Sequence, residues 1–251
     1  MPHRSHKTPR MYHELADWFH LLTEPEDYKE PAVFYSRVLE KTSLIPVKNV
    51  LEMGSGGGNN ASHMKARFNM TLTDISEDML AISHNLNPEC EHIQGNMRNL
   101  RLGRWFDAVF IHDAISYLAT ETQLKETFHT AFIHCNPGGS VLFCPDYITE
   151  TFIKSTETSG HDDGERGLRY LDWTWAEKNG MGFVSHFVII IQDGEKVVYY
   201  TDEHHGGVFP RQTWLELMNK AGFRNVKAVP YPPKLRERAK APVFTGVKPI
   251  R

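Results

Sequence analysis

The chain has 251 residues, is 40% hydrophobic and 24% charged, and carries a formal net charge of −3. That is an ordinary globular composition, and its mild acidity excludes a strongly basic, nucleic-acid-binding surface as the default. The longest apolar run, Phe187 to Ile191, is too short to span a bilayer, so no membrane association is expected.

Residues 1–10 are polar and basic, lack the apolar core of a secretion signal, and read as a flexible tail. Residues 11–22 predict a helix with Tyr12, Leu15, Phe19 and Leu22 on one face. Pro31 opens a second helix that buries Val33, Phe34 and Val38. Val47 to Met53 reads as a strand, Asn59 to Phe68 as a helix and Met70 to Thr73 as the next strand. Ser76 is placed to cap the helix that follows, with Glu77 and Asp78 in its first turn. Cys90 to Gln94 and Phe106 to Ile111 are the third and fourth strands, Thr122 to His134 a helix, and Ser140 to Pro145 the fifth strand after an Asn-Pro-Gly-Gly turn.

The rhythm then changes. Residues 155–168 read as a polar loop, with Arg166 and Arg169 as candidate anchors should an acceptor carry a diphosphate. Tyr170 to Trp175, Phe183 to Gln192 and Glu195 to Thr201 are strand-like, the last two joined at Asp193-Gly194. Trp173 and Trp175 are read as core or as the wall of a site. Pro210 to Ala221 is a helix stopped by Gly222, and Asn225 to Val229 and Pro242 to Val247 close the chain as strands. Strands alternating with helices argue for a parallel α/β sheet. Residues 11–251 read as one domain, with 11–45 a helical cover and 147–209 an antiparallel insertion.

The three cysteines, Cys90, Cys135 and Cys144, have no paired spacing, which points to a reducing, cytoplasmic compartment. The fourteen histidines show no ligand spacing, so no metal site is expected.

The chemistry-bearing stretch is Glu52-Met53-Gly54-Ser55-Gly56-Gly57-Gly58, between a strand and a helix. Such a turn lets the backbone approach a ligand at a helix N-terminus. The dinucleotide fingerprint G-x-G-x-x-G/A fails at Asn59, whereas acid-x-G-x-G-x-G is filled completely. This second pattern resembles motif I of class I S-adenosylmethionine-dependent methyltransferases. Asp74 at the end of the second strand, Gly95-Asn96-Met97-Arg98 after the third, and Phe106 to Tyr117 around the fourth extend the resemblance. It implies a Rossmann-like seven-stranded sheet in the order 3-2-1-4-5-7-6 with the last strand antiparallel, and S-adenosylmethionine as cofactor. It also implies cofactor contacts from Tyr12, Glu52, Gly54, Gly56, Asp74, Ile75, Asn96, Met97 and Ile111. Asn96 departs from the acid usual at its position, and an amide oxygen is a weaker acceptor. Each residue has a plainer reading as well: Asp74 as a cap, Glu52 as a brace for the loop, Tyr12 as one apolar face of a helix.

The flanks MYHELADWFHLLTEPEDYKEPAVFY and DEHHGGVFPRQTWLELMNKAGF resemble bacterial small-molecule methyltransferases, among them N,N-dimethyltransferases of nucleotide-linked amino sugars. The resemblance implies methyl transfer to a small-molecule acceptor; charge and apolar-run length leave neither nucleic acid nor membrane as an expected partner, and a homodimer is the candidate assembly. Groups available to help an acceptor shed its proton are His112, Asp113, Asp146, Tyr147, His204 and His205, and His112 and His205 are the preferred catalytic pair. Two rival readings stand beside this one: an NAD(P)-dependent oxidoreductase on a related sheet, and a non-catalytic S-adenosylmethionine-binding protein.

Overall fold

The computed structural model describes residues 9–178, 180, 182–235 and 241–250. Residues 1–8 of the expected tail lie outside the described residues, and Arg10–Tyr12 already forms a 3-10 turn. The elements run as α1 (Phe19–Leu22), α2 (Lys29–Thr42), β1 (Asn49–Met53), α3 (Asn59–Met64), β2 (Asn69–Asp74), α4 (Glu77–Leu86), β3 (Glu91–Gln94), β4 (Phe106–His112), α5 (Glu121–His134) and β5 (Cys135–Cys144). Then come β6 (Ser155–Ser159), β7 (Asp162–Asp163), β8 (Arg166–Ala176), β9 (Gly182–Asp193), β10 (Lys196–Gly207), α6 (Arg211–Lys220), β11 (Arg224–Val229) and β12 (Val243–Val247).

The main sheet has the order β11-β12-β5-β4-β1-β2-β3, which is the expected 3-2-1-4-5-7-6, and β12 is antiparallel to both neighbours. Alternation along its central strands feeds two cores. Val50, Ala108, Phe110 and Leu142 pack with Ala32, Tyr35 and Leu39 of α2 and Met64 of α3. Leu51, Val109, Ile111 and Phe143 face Phe128 of α5 and Trp214 and Met218 of α6. A strand buried on both faces must be apolar throughout, and FDAVFI in β4 is such a run.

Helix ends follow local chemistry. Ser76 Oγ accepts from Met79 N–H, so it caps α4 as expected. Thr120 and Gln123 form a reciprocal capping box at α5. In α2 the buried stripe is Ala32, Tyr35, Ser36, Val38 and Leu39, and Val33, expected inside, faces out.

Two expectations are corrected. Residues 11–22 are not one helix but two 3-10 turns followed by α1. The segment has to meet two surfaces: Met11, Leu15 and Leu21 sit on the second sheet, while Tyr12, Phe19 and Leu22 line a cavity. Met11 N–H donates to Asp202 Oδ2 at 3.1 Å and Ser76 Oγ donates to Tyr12 O at 2.5 Å, pinning this segment from both sides. Residues 155–168, expected as a loop, contain β6, β7 and the start of β8. Their polar side chains suit an edge strand, whose pairing is made by backbone groups. Arg166 and Arg169 are already engaged there. The Arg166 guanidinium lies 4.1 Å over the Trp18 ring, and Arg169 is paired with Asp162 at 2.6 Å.

The second sheet has the order β10-β9-β8-β6 and is antiparallel. Its turn residues are Gly194-Glu195, one position later than expected, because Asp193 pairs with Lys196. Its inner face carries Leu168, Ile189 and Ile191. Leu171, Trp173, Val188, Ile190, Val197 and Tyr199 face outward.

Gly58 caps α3 in the left-handed region, at φ +79°. A Cβ there would stand 2.3 Å from Asn87 Nδ2 and 2.4 Å from Ser83 Oγ, so this glycine lets α3 meet the end of α4. Gly58→Ala is therefore expected to destabilise the fold by about 1–3 kcal/mol, combining the φ penalty with the collision. A denaturation midpoint equal to that of the parent chain would contradict this.

Candidate active site

The C-terminal ends of β1, β2, β4 and β5 open toward the N-terminal segment and the inner face of the second sheet. A cavity of about 1200 Å³ lies between them. Open α/β sheets place ligands at this end, and the volume exceeds that of a typical single-ligand pocket.

The glycine loop is bent by its own backbone. Gly54 N–H and Ser55 N–H both donate to Thr73 O, at 2.7 and 3.0 Å. Gly54 and Gly56 have φ values of +71° and +53°, which only glycine adopts without strain. A Cβ on Gly54 would lie 2.4 Å from the Ala114 Cβ. Gly57 also has a function in packing: a Cβ there would stand 2.6 Å from the Phe19 ring and 2.9 Å from His20 Nε2, which is bonded to Gly57 O. The N-terminal segment is thus seated directly on the loop.

Asp74 ties this loop to α4. Its Oδ2 accepts from Gly56 N–H and its Oδ1 from Ser76 N–H, both at 2.9 Å. Burial raises its carboxyl, and these backbone donors work against that shift. Ile75 N–H is a third donor to this carboxyl, which can still accept from a ligand. Glu52 is 1% exposed beside the loop, and burial lifts its carboxyl to about 8, with an Asn60 hydrogen bond opposing. Among the described residues Glu52 Oε2, Ser55 Oγ, Asn59 Oδ1 and Asn60 Oδ1 have no hydrogen-bond partner. Buried polar groups without partners call for a ligand that hydrogen-bonds them. Asn96 Oδ1 accepts from Arg98 N–H at 2.9 Å, and Met97 borders Gly54.

Beyond the loop, His112 Nδ1 lies 3.0 Å from Asp113 Oδ2, and the His112 ring stands beside Tyr28 and Tyr35. Asp113 has φ +40°, a strained position held by its N–H on Cys144 O and its carbonyl on Ser116 N–H. Burial alone would raise its carboxyl. The charge and hydrogen bond of His112, with a hydrogen bond to Asp146, bring it below the ordinary value. Asp27, Glu157 and Asp172 share the same wall, and Arg98 is the only Lys or Arg on it among the described residues. Arg98 is paired with Glu126 at 2.6 Å.

Of the residues singled out in the sequence, Tyr12, Glu52, Gly54, Gly56, Asp74, Ile75, Asn96, Met97 and His112 border this one cavity. Two do not. Ile111 is fully buried in the core, because its neighbour His112 takes the cavity-facing position in β4. His205 lies on the far side of β10, bonded to Glu177 and Glu203. The adjacent His204 faces the cavity instead, since successive strand residues point to opposite faces. The same parity puts Asp172 on the wall and Trp173 outside it.

Residues 50–139 match the family described as a methyltransferase domain. Two curated relatives extend the likeness beyond that stretch. The dTDP-3-amino-3,4,6-trideoxy-alpha-D-glucopyranose N,N-dimethyltransferase of Streptomyces venezuelae is 29% identical over 193 residues, 75% of this chain and 78% of the relative. The dTDP-3-amino-3,6-dideoxy-alpha-D-glucopyranose N,N-dimethyltransferase of Streptomyces fradiae is 24% identical, over 93% of this chain and 91% of the relative. Among solved structures, Streptomyces venezuelae DesVI superposes with a TM-score of 0.81 at 25% identity, covering 93% of this chain and 98% of that one. Residues 50–139 therefore carry a methyltransferase domain, with S-adenosylmethionine as its cofactor, on the fold of DesVI. The oxidoreductase and non-catalytic readings lose their support. No described helix is long and apolar enough to cross a membrane.

The site fits that cofactor. Asp74 offers paired acceptors for vicinal hydroxyls, and the unpartnered acceptors around Glu52 suit an ammonium group. The Glu52 carboxyl also makes a stability prediction. Its pKa is raised from 4.5 to about 8 on folding, so the folded chain keeps a proton that the unfolded chain releases. The cofactor-free protein therefore loses stability as pH rises from about 4.5 to about 8. Glu52→Gln should raise the Tm of the cofactor-free protein, slightly at pH 5 and by several degrees at pH 8.5. A Tm difference that does not grow with pH would rule this out.

Proposed function

We propose that the enzyme methylates an amino group of its small-molecule acceptor, an amino sugar or a related amine. The observation that carries this is the charge of the cavity wall, where Asp113 and Asp146 are hydrogen-bonded and Arg98 is already paired. An acidic wall set with tyrosine rings attracts a protonated amine. The two curated relatives act, by their names, on 3-amino sugars, which supports the same acceptor chemistry.

S-adenosylmethionine supplies an activated methyl group on a positive sulfonium. Asp74 holds its vicinal hydroxyls, and Gly54 and Gly56 allow the backbone to come close. Glu52 meets its ammonium group, Asn96 and Met97 its adenine ring, and Ile75 gives apolar contact. The Tyr12 ring faces the positive charge. His112, fixed by Asp113, orients the acceptor. Alignment in a water-poor cavity is the main source of rate, since a neutral amine is already a nucleophile.

Calorimetry with S-adenosylhomocysteine should show saturable binding that Asp74→Asn weakens at least tenfold, about 1.4 kcal/mol. Undiminished affinity would remove Asp74 from the hydroxyl contact. Incubation with S-adenosylmethionine and dTDP-3-amino-3,4,6-trideoxy-alpha-D-glucopyranose, or with simpler 3-amino sugars, should add methyl groups at nitrogen, read by mass spectrometry. Methylation confined to a hydroxyl would overturn the amine assignment.

We also place the enzyme in the cytoplasm, in keeping with the buried free thiols of Cys90, Cys135 and Cys144. The outward apolar row from Leu171 to Tyr199 supports a homodimer joined through the second sheet. Light scattering should give twice the chain mass of 28.8 kDa, and Tyr199→Glu should give the monomer. A monomeric parent chain would dismiss this interface.

A further inference from the structure

A chain of polar groups leaves the cavity and runs into the second sheet. Tyr12 Oη lies 2.7 Å from Tyr117 Oη, and Tyr117 Oη lies 2.7 Å from His204 Nδ1. His204 Nε2 lies 3.3 Å from Asp202 Oδ2. Asp202 is itself fixed, its Oδ2 accepting from Met11 N–H at 3.1 Å and its Oδ1 from Glu203 N–H at 3.0 Å. His204 and Asp202 are both buried.

The donors in this chain can be ordered. An ionised Asp202 only accepts, so His204 carries its proton on Nε2. Burial raises the Asp202 carboxyl, but the His204 contact and the backbone donors from Met11 and Arg10 bring it below the ordinary value. Neutral His204 then has Nδ1 as an acceptor, which Tyr117 satisfies with its hydroxyl proton. Tyr117 oxygen in turn accepts from Tyr12. Every proton points from the cavity toward Asp202, and Tyr12 oxygen keeps a lone pair for a donor in the cavity.

We propose that Tyr12, Tyr117 and His204 form a proton relay that deprotonates the acceptor ammonium, with Asp202 holding His204 in the accepting tautomer. The inference rests on the amine reading above. One N–H bond of the ammonium breaks and its electron pair stays on nitrogen as the nucleophile. Tyr12 takes that proton and passes its own to Tyr117, which passes its own to His204 Nδ1. The charge ends as an imidazolium against Asp202. The surroundings favour this direction. Asp146 acts on both phenols, Asp113 and Asp74 act on Tyr12, and Asp202 acts on Tyr117. From β9 the His204 ring meets uncharged Phe187 at 4.6 Å. Negative charges around the route stabilise a cation travelling along it.

His204 acts through the tyrosines, so it is a positioning and proton-accepting residue, and its test needs more than loss of rate. With dTDP-3-amino-3,4,6-trideoxy-alpha-D-glucopyranose as probe, His204→Asn and Tyr117→Phe should lower kcat/KM about a hundredfold at pH 7. The deficit should shrink as pH rises and the ammonium loses its proton to solvent, while calorimetric affinity for S-adenosylhomocysteine stays unchanged. In the cofactor-free protein with labelled histidine, NMR should show His204 as the Nε2–H tautomer, and Tyr117→Phe should shift its Nδ1 resonance. A pH-independent deficit, an unaffected rate or the Nδ1–H tautomer would overturn the relay. Failure of the parent enzyme to methylate any amine would instead overturn the acceptor reading, a separate outcome. Tyr117→Phe removes a single hydroxyl, so the test stands even if His204→Asn does not fold.

Discussion

Asp74 joins three parts of the molecule with one side chain. It ends β2, takes the N–H of Gly56 from the loop after β1, and takes the N–H of Ser76 at the start of α4. Two backbone donors at the cavity edge would otherwise lack protein partners, and the carboxylate accepts both with charge-assisted bonds. The positive φ values of Gly54 and Gly56 are held in part by that bond and in part by Thr73 O. The shape of this end of the cavity therefore depends on one acidic side chain and on two positions whose left-handed backbone favours glycine.

The other wall comes from a different part of the chain. The N-terminal segment is clamped between β10, through Met11 and Asp202, and the loop, through Gly57. It closes the cavity from above with Tyr12 and Phe19. This explains why residues 11–22 break into short turns: a continuous helix presents one apolar stripe, and here two surfaces on different sides must be met. Local costs are spread over the site. Glu52 holds a raised carboxyl, Asp113 a strained φ, and both border the cavity rather than the core. Such departures from local preference concentrate where a ligand is handled.

Most of the main sheet was legible in the sequence. Its strands are continuous apolar runs punctuated by turn residues, and α4 carries the cap Ser76. The convergence of Glu52, the glycines and Asp74 on one cavity was legible too, because they are close in sequence and a parallel sheet brings consecutive strand ends side by side. The structural role of Gly57 was not, since Phe19 and His20 approach it from 37 to 38 positions away.

The sequence by itself determined the fold class, the strand order implied by the motif resemblance, and the glycine loop that borders the cavity. Only the tertiary structure decided which side of the second sheet faces the site. Both faces of that sheet carry large apolar residues, Val198 and Tyr200 inside and Val197 and Tyr199 outside, so a period of two fits either assignment. Packing of Met11, Leu15 and Leu21 against the even-numbered face of β10 and its partners in β8 and β9 settles the parity. It turns His204 and Asp172 toward the cavity and His205 and Trp173 away. The preferred histidine of a neighbouring pair was therefore a choice that no local pattern could make.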